Sequence, residues 1–257
     1  MRRSIPAFLV VVLSVSACAG ETSSTPSSDA PLPTIGLGSD VGEADPIGGG
    51  GDDVQVVGTN EIDTVIMVGD SITVASTPQL ETMFDQLGFD SVAIESEQGK
   101  RIALSFGSNL SGVEVAEDLI KTMHAAGDTS GEGRAENSFD HSNELWVVAL
   151  GTNDIGQYSG PREIATAVDE MLQAVPDDSP LVWVDTFFRD RPDATAELNV
   201  IIRDLVSQRD LSVIASWSAV ADDDGNLRND GVHPREQGSI VFANVTGNAI
   251  ADFLQLP

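Results

Sequence analysis

One cysteine stands in the 257 residues, Cys18. The rest of the chain therefore forms no intramolecular disulfide and offers no thiolate metal site. It must hold together by its core. Basic residues are also scarce: 13 Lys and Arg face 41 Asp and Glu, a formal net charge of −28. Such a surface repels phosphate backbones and anionic lipid headgroups, which disfavours nucleic-acid binding. The plain reading of the charge is solubility, and it identifies no substrate. No internal repeat, P-loop or His-Glu-x-x-His pattern occurs. Asp222-Asp223-Asp224-Gly225-Asn226 has the look of a calcium loop. Placing Gly225 sixth, however, puts Val220 first and Gly231 last, where carboxylates are needed. The segment reads as a solvated turn.

The chain opens with Arg2 and Arg3, followed by an apolar run over residues 8–13. A charged region and then a short apolar one make a signal peptide, too short for a comfortable membrane span. Val15-Ser16-Ala17-Cys18 resembles a bacterial lipobox, in which the cysteine is lipidated and becomes the first mature residue. The expectation is a signal peptide over 1–17 and an exported, cell-surface protein anchored to a membrane through Cys18. The alternative is an ordinary signal peptide cut near Ala19 and a secreted product. Residues 18–60 are rich in Ser, Thr, Pro, Gly and Asp, without apolar periodicity, and read as a flexible tether. The run Gly48 to Gly51 is no dinucleotide fingerprint, because no strand precedes it.

From Glu61 the texture changes, and residues 61–257 read as one domain with a substantial core. Strand candidates cover 64–68, 91–94, 145–150, 181–185 and 212–215. Most are near-continuous apolar runs, as expected of strands with helices over both sheet faces. Helix candidates cover 78–87, 113–126, 161–174, 193–208 and 235–253. Pro78, Pro161 and Pro234 fall at plausible first turns, and Gly88 and Gly127 at plausible stops. The alternation predicts an α/β fold: a parallel sheet of about five strands in a sandwich. The Gly- and Glu-rich stretch 128–138, with His141 after it, reads as a surface excursion before the third strand.

The first strand candidate ends abruptly in Gly69-Asp70-Ser71. In open α/β sheets ligands bind at the carboxyl ends of strands, so Ser71 is placed to act as a nucleophile. A serine needs a base, and there are three histidines. His124 lies within a helical pattern, and His141 lies at the amino end of its strand, the wrong pole. His233 follows the last strand in Asp230-Gly231-Val232-His233-Pro234. The spacing lets a turn bring the Asp230 carboxylate to the imidazole, fixing its tautomer; the bland alternative makes Asp230 a helix cap. Gly151-Thr152-Asn153-Asp154 follows the third strand. The Asn153 amide is a neutral donor at the correct pole for a developing oxyanion, with an ordinary Asn-Asp turn as the rival reading. Asp154 reads as the cap of a following turn. A further donor is the backbone N–H of Gly99, in the loop after the second strand, with Gly107 and Gly112 as rivals. The serine's surroundings lack the second glycine of an α/β-hydrolase elbow.

Taken together, these blocks resemble the SGNH (GDSL-type) hydrolase family. Gly69-Asp70-Ser71-Ile72-Thr73 looks like its first block, Gly99 its second, Gly151-Thr152-Asn153-Asp154 its third and Asp230-Gly231-Val232-His233-Pro234 its fifth. The resemblance runs in order from about Glu61 to Leu256. It implies a three-layer α/β/α sandwich of flavodoxin-like type. It implies Ser71 as nucleophile, His233 as general base and Asp230 as orienting acid, with an oxyanion hole from the N–H groups of Ser71 and Gly99 and the Asn153 side chain. It implies no metal and no cofactor. The expected activity is a serine esterase cleaving short acyl esters, plausibly on carbohydrate. An acyltransferase acting on cell-surface glycan, or a non-catalytic surface lipoprotein, remains as an alternative. The stretch from Trp217 to Gly238 is similar to esterase domains found beside membrane acyltransferases that modify such glycans.

Overall fold

The computed structural model describes residues 62–127 and 141–256. The expected leader, Cys18, the tether and the 128–138 excursion lie outside the described residues. Five parallel strands form one sheet: β1 (Thr64–Gly69), β2 (Ser91–Ser96), β3 (Glu144–Ala149), β4 (Leu181–Val184) and β5 (Ser212–Ala215). Their spatial order is β2-β1-β3-β4-β5. Five helices connect and close them: α1 (Ser71–Leu87), α2 (Gly112–Gly127), α3 (Pro161–Ala174), α4 (Pro192–Val206) and α5 (Glu236–Leu254).

The strand sequences explain the layering. Successive side chains on a strand point to opposite faces. In β1, Val65 and Met67 join a core with Leu80 and Phe84 of α1 and Phe242 and Ile250 of α5. Ile66 and Val68 join a second core with Ala116 of α2, Val168 and Met171 of α3 and Leu198 and Ile202 of α4. β3 divides in the same way, with Leu145 and Val147 on the first side and Trp146 and Val148 on the second. Both faces are covered, which is why these strands read as unbroken apolar runs rather than alternating ones.

Two helix starts differ from expectation. α1 begins at Ser71, directly after the strand, and Pro78 lies inside it. Asp70 caps the helix, accepting the Ile72 N–H at 2.9 Å. Gly69 lets the strand and helix meet so tightly that a Cβ there would lie 2.1 Å from Thr73 Oγ1. Pro78 is tolerated on an exposed face, where the donor it lacks costs Val74, itself solvent-facing, its usual partner. Pro234 precedes α5 by two residues and forms an antiparallel bridge with Leu227. Pro161 does open α3, and Gly88 ends α1 in the left-handed conformation at φ 86°.

Candidate active site

In a sheet of this order the connection out of β1 runs to one side, to β2, and the connection out of β3 to the other, to β4, so a crevice opens between the carboxyl ends of β1 and β3. Ser71 stands there as the first residue of α1. Its Oγ lies 3.0 Å from His233 Nε2, and His233 Nδ1 lies 3.0 Å from Asp230 Oδ2. With Nδ1–H donating to the carboxylate, Nε2 is the acceptor for the serine proton.

The turn carrying the imidazole is built by Asp230. Its Oδ1 accepts the N–H groups of Val232 and His233, each at 3.0 Å. Partial desolvation pushes its pKa up, but those two N–H groups and the imidazole outweigh it and hold the carboxyl at about 2. Gly231 has φ +69°, and a Cβ there would lie 2.7 Å from the Arg189 Cβ. The Gly231 carbonyl accepts the Arg189 N–H at 3.0 Å, so the loop after β4 braces the histidine turn.

Asn153 lies in a 3-10 turn, Thr152–Asp154, after β3. Its Nδ2 donates to the Lys100 carbonyl at 3.0 Å and to Asp70 Oδ2 at 3.2 Å. Asp154 does more than the expected turn capping. Its carboxylate accepts the Ile102 N–H at 3.1 and 3.2 Å and the Tyr158 hydroxyl at 2.7 Å, pinning the loop after β2 to the loop after β3. Burial pushes Asp70 up to about 7, with repulsion from Asp154 adding to it and the Ile72 N–H opposing it. Burial likewise pushes Asp154 up to about 6, against the Tyr158 and Ile102 hydrogen bonds. Asn153 is thus flanked by two buried carboxyl groups that resist ionisation.

Gly99 is the third residue of the turn from Glu97 to Lys100, at φ +77°. That turn touches the site twice: the Glu97 N–H donates to the Gly69 carbonyl, and the Lys100 carbonyl holds Asn153. Its rivals have other tasks. Gly107 is in the tight reversal between Phe106 and Asn109, and Gly112 opens α2 where a Cβ would meet Leu150 Cδ1 at 2.3 Å.

The other histidines lie elsewhere. His141, before β3 at the amino pole, is buried with its Nδ1 2.8 Å from Glu144 Oε2. His124 falls within α2, and its side chain lies outside the described residues. The acidic run near Asp222 forms a turn closed by Asn226 Nδ2 on the Val220 carbonyl, with Asp222 paired to Arg189. Among the described residues no group of three His, Cys, Asp or Glu is arranged to hold a metal. No helix among them is long and apolar enough to cross a membrane.

One buried group at this pole escaped the sequence reading. Asp185, just past β4, accepts the Ser218 N–H, the Ser218 hydroxyl and Arg203 Nη2, each at 2.7 Å. The available signal was a lone carboxylate closing the apolar run Leu181-Val182-Trp183-Val184.

A flavodoxin-ordered parallel sheet between two helical layers, with serine, histidine and asparagine converging at its carboxyl edge, is the architecture of SGNH hydrolases. Residues 67–239 match the model of the GDSL-like lipase/acylhydrolase family, and the chain belongs to that family of hydrolytic enzymes. Solved structures agree in fold. A family 3 carbohydrate esterase of Clostridium thermocellum is 17% identical, with a TM-score of 0.52 over 76% of this chain and 98% of that one. The psychrotrophic esterase EstA of a Pseudoalteromonas species is 13% identical, with a TM-score of 0.53 over 75% of this chain and 99% of that one. A lipase/acylhydrolase from Enterococcus faecalis is 14% identical, with a TM-score of 0.51 over 76% of this chain and 99% of that one. No curated protein matches the sequence.

Proposed function

We propose that this chain is an exported serine esterase that hydrolyses short acyl esters, acetyl foremost, on carbohydrate. The observation that carries the reading is the line from Asp230 through His233 to Ser71, 3.0 Å at each link. Ser71 Oγ attacks the ester carbonyl as His233 Nε2 takes its proton. Asp230 holds the imidazole in register and stabilises the imidazolium. The oxyanion is received by the N–H groups of Ser71 and Gly99 and by Asn153 Nδ2. Of the two Asn153 contacts, the one to Asp70 is longer, at 3.2 Å, and is the one given up to the oxyanion. His233 then protonates the departing alcohol. Water, activated by the same imidazole, attacks the acyl-enzyme, releases the acid and restores Ser71.

The small space beside Asp70 and Ile72, the neighbours of Ser71, supports a short acyl group. A cavity bordered by Asp70, Ile72, Thr152, Thr186 and Trp217 has a volume of about 10 Å³. That is the room of a single water. That space leaves no room for a long acyl chain between α1 and the sheet. Export and attachment through Cys18 would place the enzyme beside cell-surface or environmental glycans.

Hydrolysis of p-nitrophenyl acetate and of longer-chain esters tests the reading. Cleavage is expected to fall with chain length. Ser71→Ala and His233→Ala are each expected to lower turnover by about 10³-fold or more, with thermal unfolding unchanged. A folded Ser71→Ala protein that kept the wild-type rate would sink the mechanism. Labelling by a fluorophosphonate separates an activated serine from a binding protein that retains only the fold.

A further inference from the structure

Carboxylates outnumber cations about threefold in this chain, 41 to 13. Half of the described Lys and Arg residues have found one. Lys100, Lys121, Arg189, Arg203 and Arg209 each lie 2.6–3.6 Å from a carboxylate oxygen. Arg228 and Arg235 are spent on the loop that carries His233, bonding the Pro234 and Leu227 carbonyls. Among the described residues, Arg101, Arg162 and Arg191 have no carboxylate within ion-pair distance. Arg162 lies on the exposed first turn of α3. The other two lie near the segment around Asn153, Arg101 next to the residue whose carbonyl holds the Asn153 amide and Arg191 against Gly156.

Arg101 follows Lys100, whose carbonyl accepts the Asn153 amide. Its guanidinium lies 5.3 Å from the centre of the Phe106 ring, and its Nε is buried without a partner. The carboxylate whose field it feels, Asp154, is already occupied by the Ile102 N–H and the Tyr158 hydroxyl. Phe106 is 65% exposed, the most exposed large apolar side chain among the described residues. Arg191 arrives from the β4 side. Its Nη1 lies 3.2 Å from where a Cβ on Gly156 would be, so the missing side chain leaves it room. Gly156 is three residues past Asn153. An unpaired guanidinium presents a planar fork that matches carboxylate or phosphate oxygens, and an exposed aromatic face suits the C–H face of a sugar ring.

We propose that Arg101, stacked on Phe106, and Arg191 form a subsite for an anionic group, carboxylate or phosphate, on the sugar bearing the ester. The substrate class is then an O-acylated acidic glycan, a conclusion that rests on the serine-esterase reading above. The two cations answer a need set by the rest of the molecule. A surface of net charge −28 repels a polyanion at a distance, so an acidic substrate requires cations at the point of contact.

Calorimetric titration of the full chain tests this with three trisaccharides: a galacturonate, its neutral galactose counterpart and a neutral trisaccharide carrying one phosphate monoester. One of the anionic sugars is expected to bind at least about tenfold tighter than the neutral one. The gap closes in the double variant Arg101→Gln, Arg191→Gln, narrows in Arg101→Lys, and persists in Arg162→Gln. Which anion binds tighter distinguishes carboxylated from phosphorylated carriers. Equal binding of all three, binding of none, or a gap that survives the double variant overturns the subsite. Ser71-dependent cleavage of p-nitrophenyl acetate, run on the same preparations, reports the esterase reading separately. Its loss would leave the calorimetric result standing by itself.

Discussion

Two histidine–carboxylate pairs lie at opposite ends of this sheet, and both are spaced three residues apart. His233 and Asp230 meet at 3.0 Å at the carboxyl pole, with side chains 36% and 48% exposed. His141 and Glu144 meet at 2.8 Å at the amino pole, with side chains 10% and 11% exposed. Their electrostatics run in opposite directions. Two backbone N–H groups and the imidazole hold Asp230 low, at about 2. Burial raises Glu144, and the His141 imidazole only partly offsets it. A pairing alone therefore does not make a catalytic unit. The pair at the carboxyl pole has solvent access, an ionised acid and a serine hydroxyl within reach of its second ring nitrogen. The pair at the amino pole is buried, and there the Ser179 hydroxyl also bonds the His141 carbonyl at 3.0 Å.

The contrast breaks most sharply on the acids. Asp230→Asn is expected to lower kcat by about 10³- to 10⁴-fold, because the amide favours the wrong imidazole tautomer. Stopped rates on p-nitrophenyl acetate would show it, and a loss under tenfold would make Asp230 only a turn former. Asn153→Ala comes next, with a loss of about 10²-fold in kcat and little change in KM. At the other pole His141→Ala should leave kcat intact and cost about 1–3 kcal/mol of stability, since it strands the buried Glu144. Denaturant unfolding reads that difference. Gly231→Ala links the two kinds of effect. Its φ of +69° and the 2.7 Å approach to Arg189 predict a stability loss of about 1–2 kcal/mol together with slower turnover.

The remaining comparison is one of pH. Asp70 and Asp154 have folded values of about 7 and about 6 against an ordinary 3.8. The folded state therefore holds more protons than the unfolded one between about pH 4 and 7, and stability falls as pH rises through that window. Asp230 acts oppositely, its contribution fading as pH drops from about 4 towards 2, and its exposure keeps that term small. Melting temperature should decline from pH 4 to 7, and Asp70→Asn, which can still cap α1, should flatten the decline. An equal slope in wild type and variant would remove Asp70 from the account.

Much of this arrangement is legible in the sequence. All five strand candidates matched within two residues at either end, because β-branched runs bounded by Gly and Pro admit few alternatives. Ser71, Asn153 and His233 stand out in the sequence because each follows a strand at the pole where chains of this topology bind ligands. Pro78 misled the placement of α1, since a proline more often opens a helix than interrupts its exposed side. The local sequence of Asp70 held a clue, a capping residue three positions before an apolar helical face. The link from Asp154 to Ile102 was invisible, because it joins residues 52 apart and depends on β2 and β3 both flanking β1. Arg101 belongs to no motif, and only its lack of an ion pair in space gives it meaning.

Ser71 and His233 are separated by 162 residues, and the strands between them fill the sheet out to its far edge. α5 then returns across the sheet to pack against α1. The Ser71–His233 contact is consequently among the last the growing chain can make, after every parallel crossover has closed. A nascent or partly folded molecule has its serine in place but no base beside it. Recovery of esterase rate after dilution from denaturant would thus time the completion of folding, lagging the return of helical signal from the earlier units.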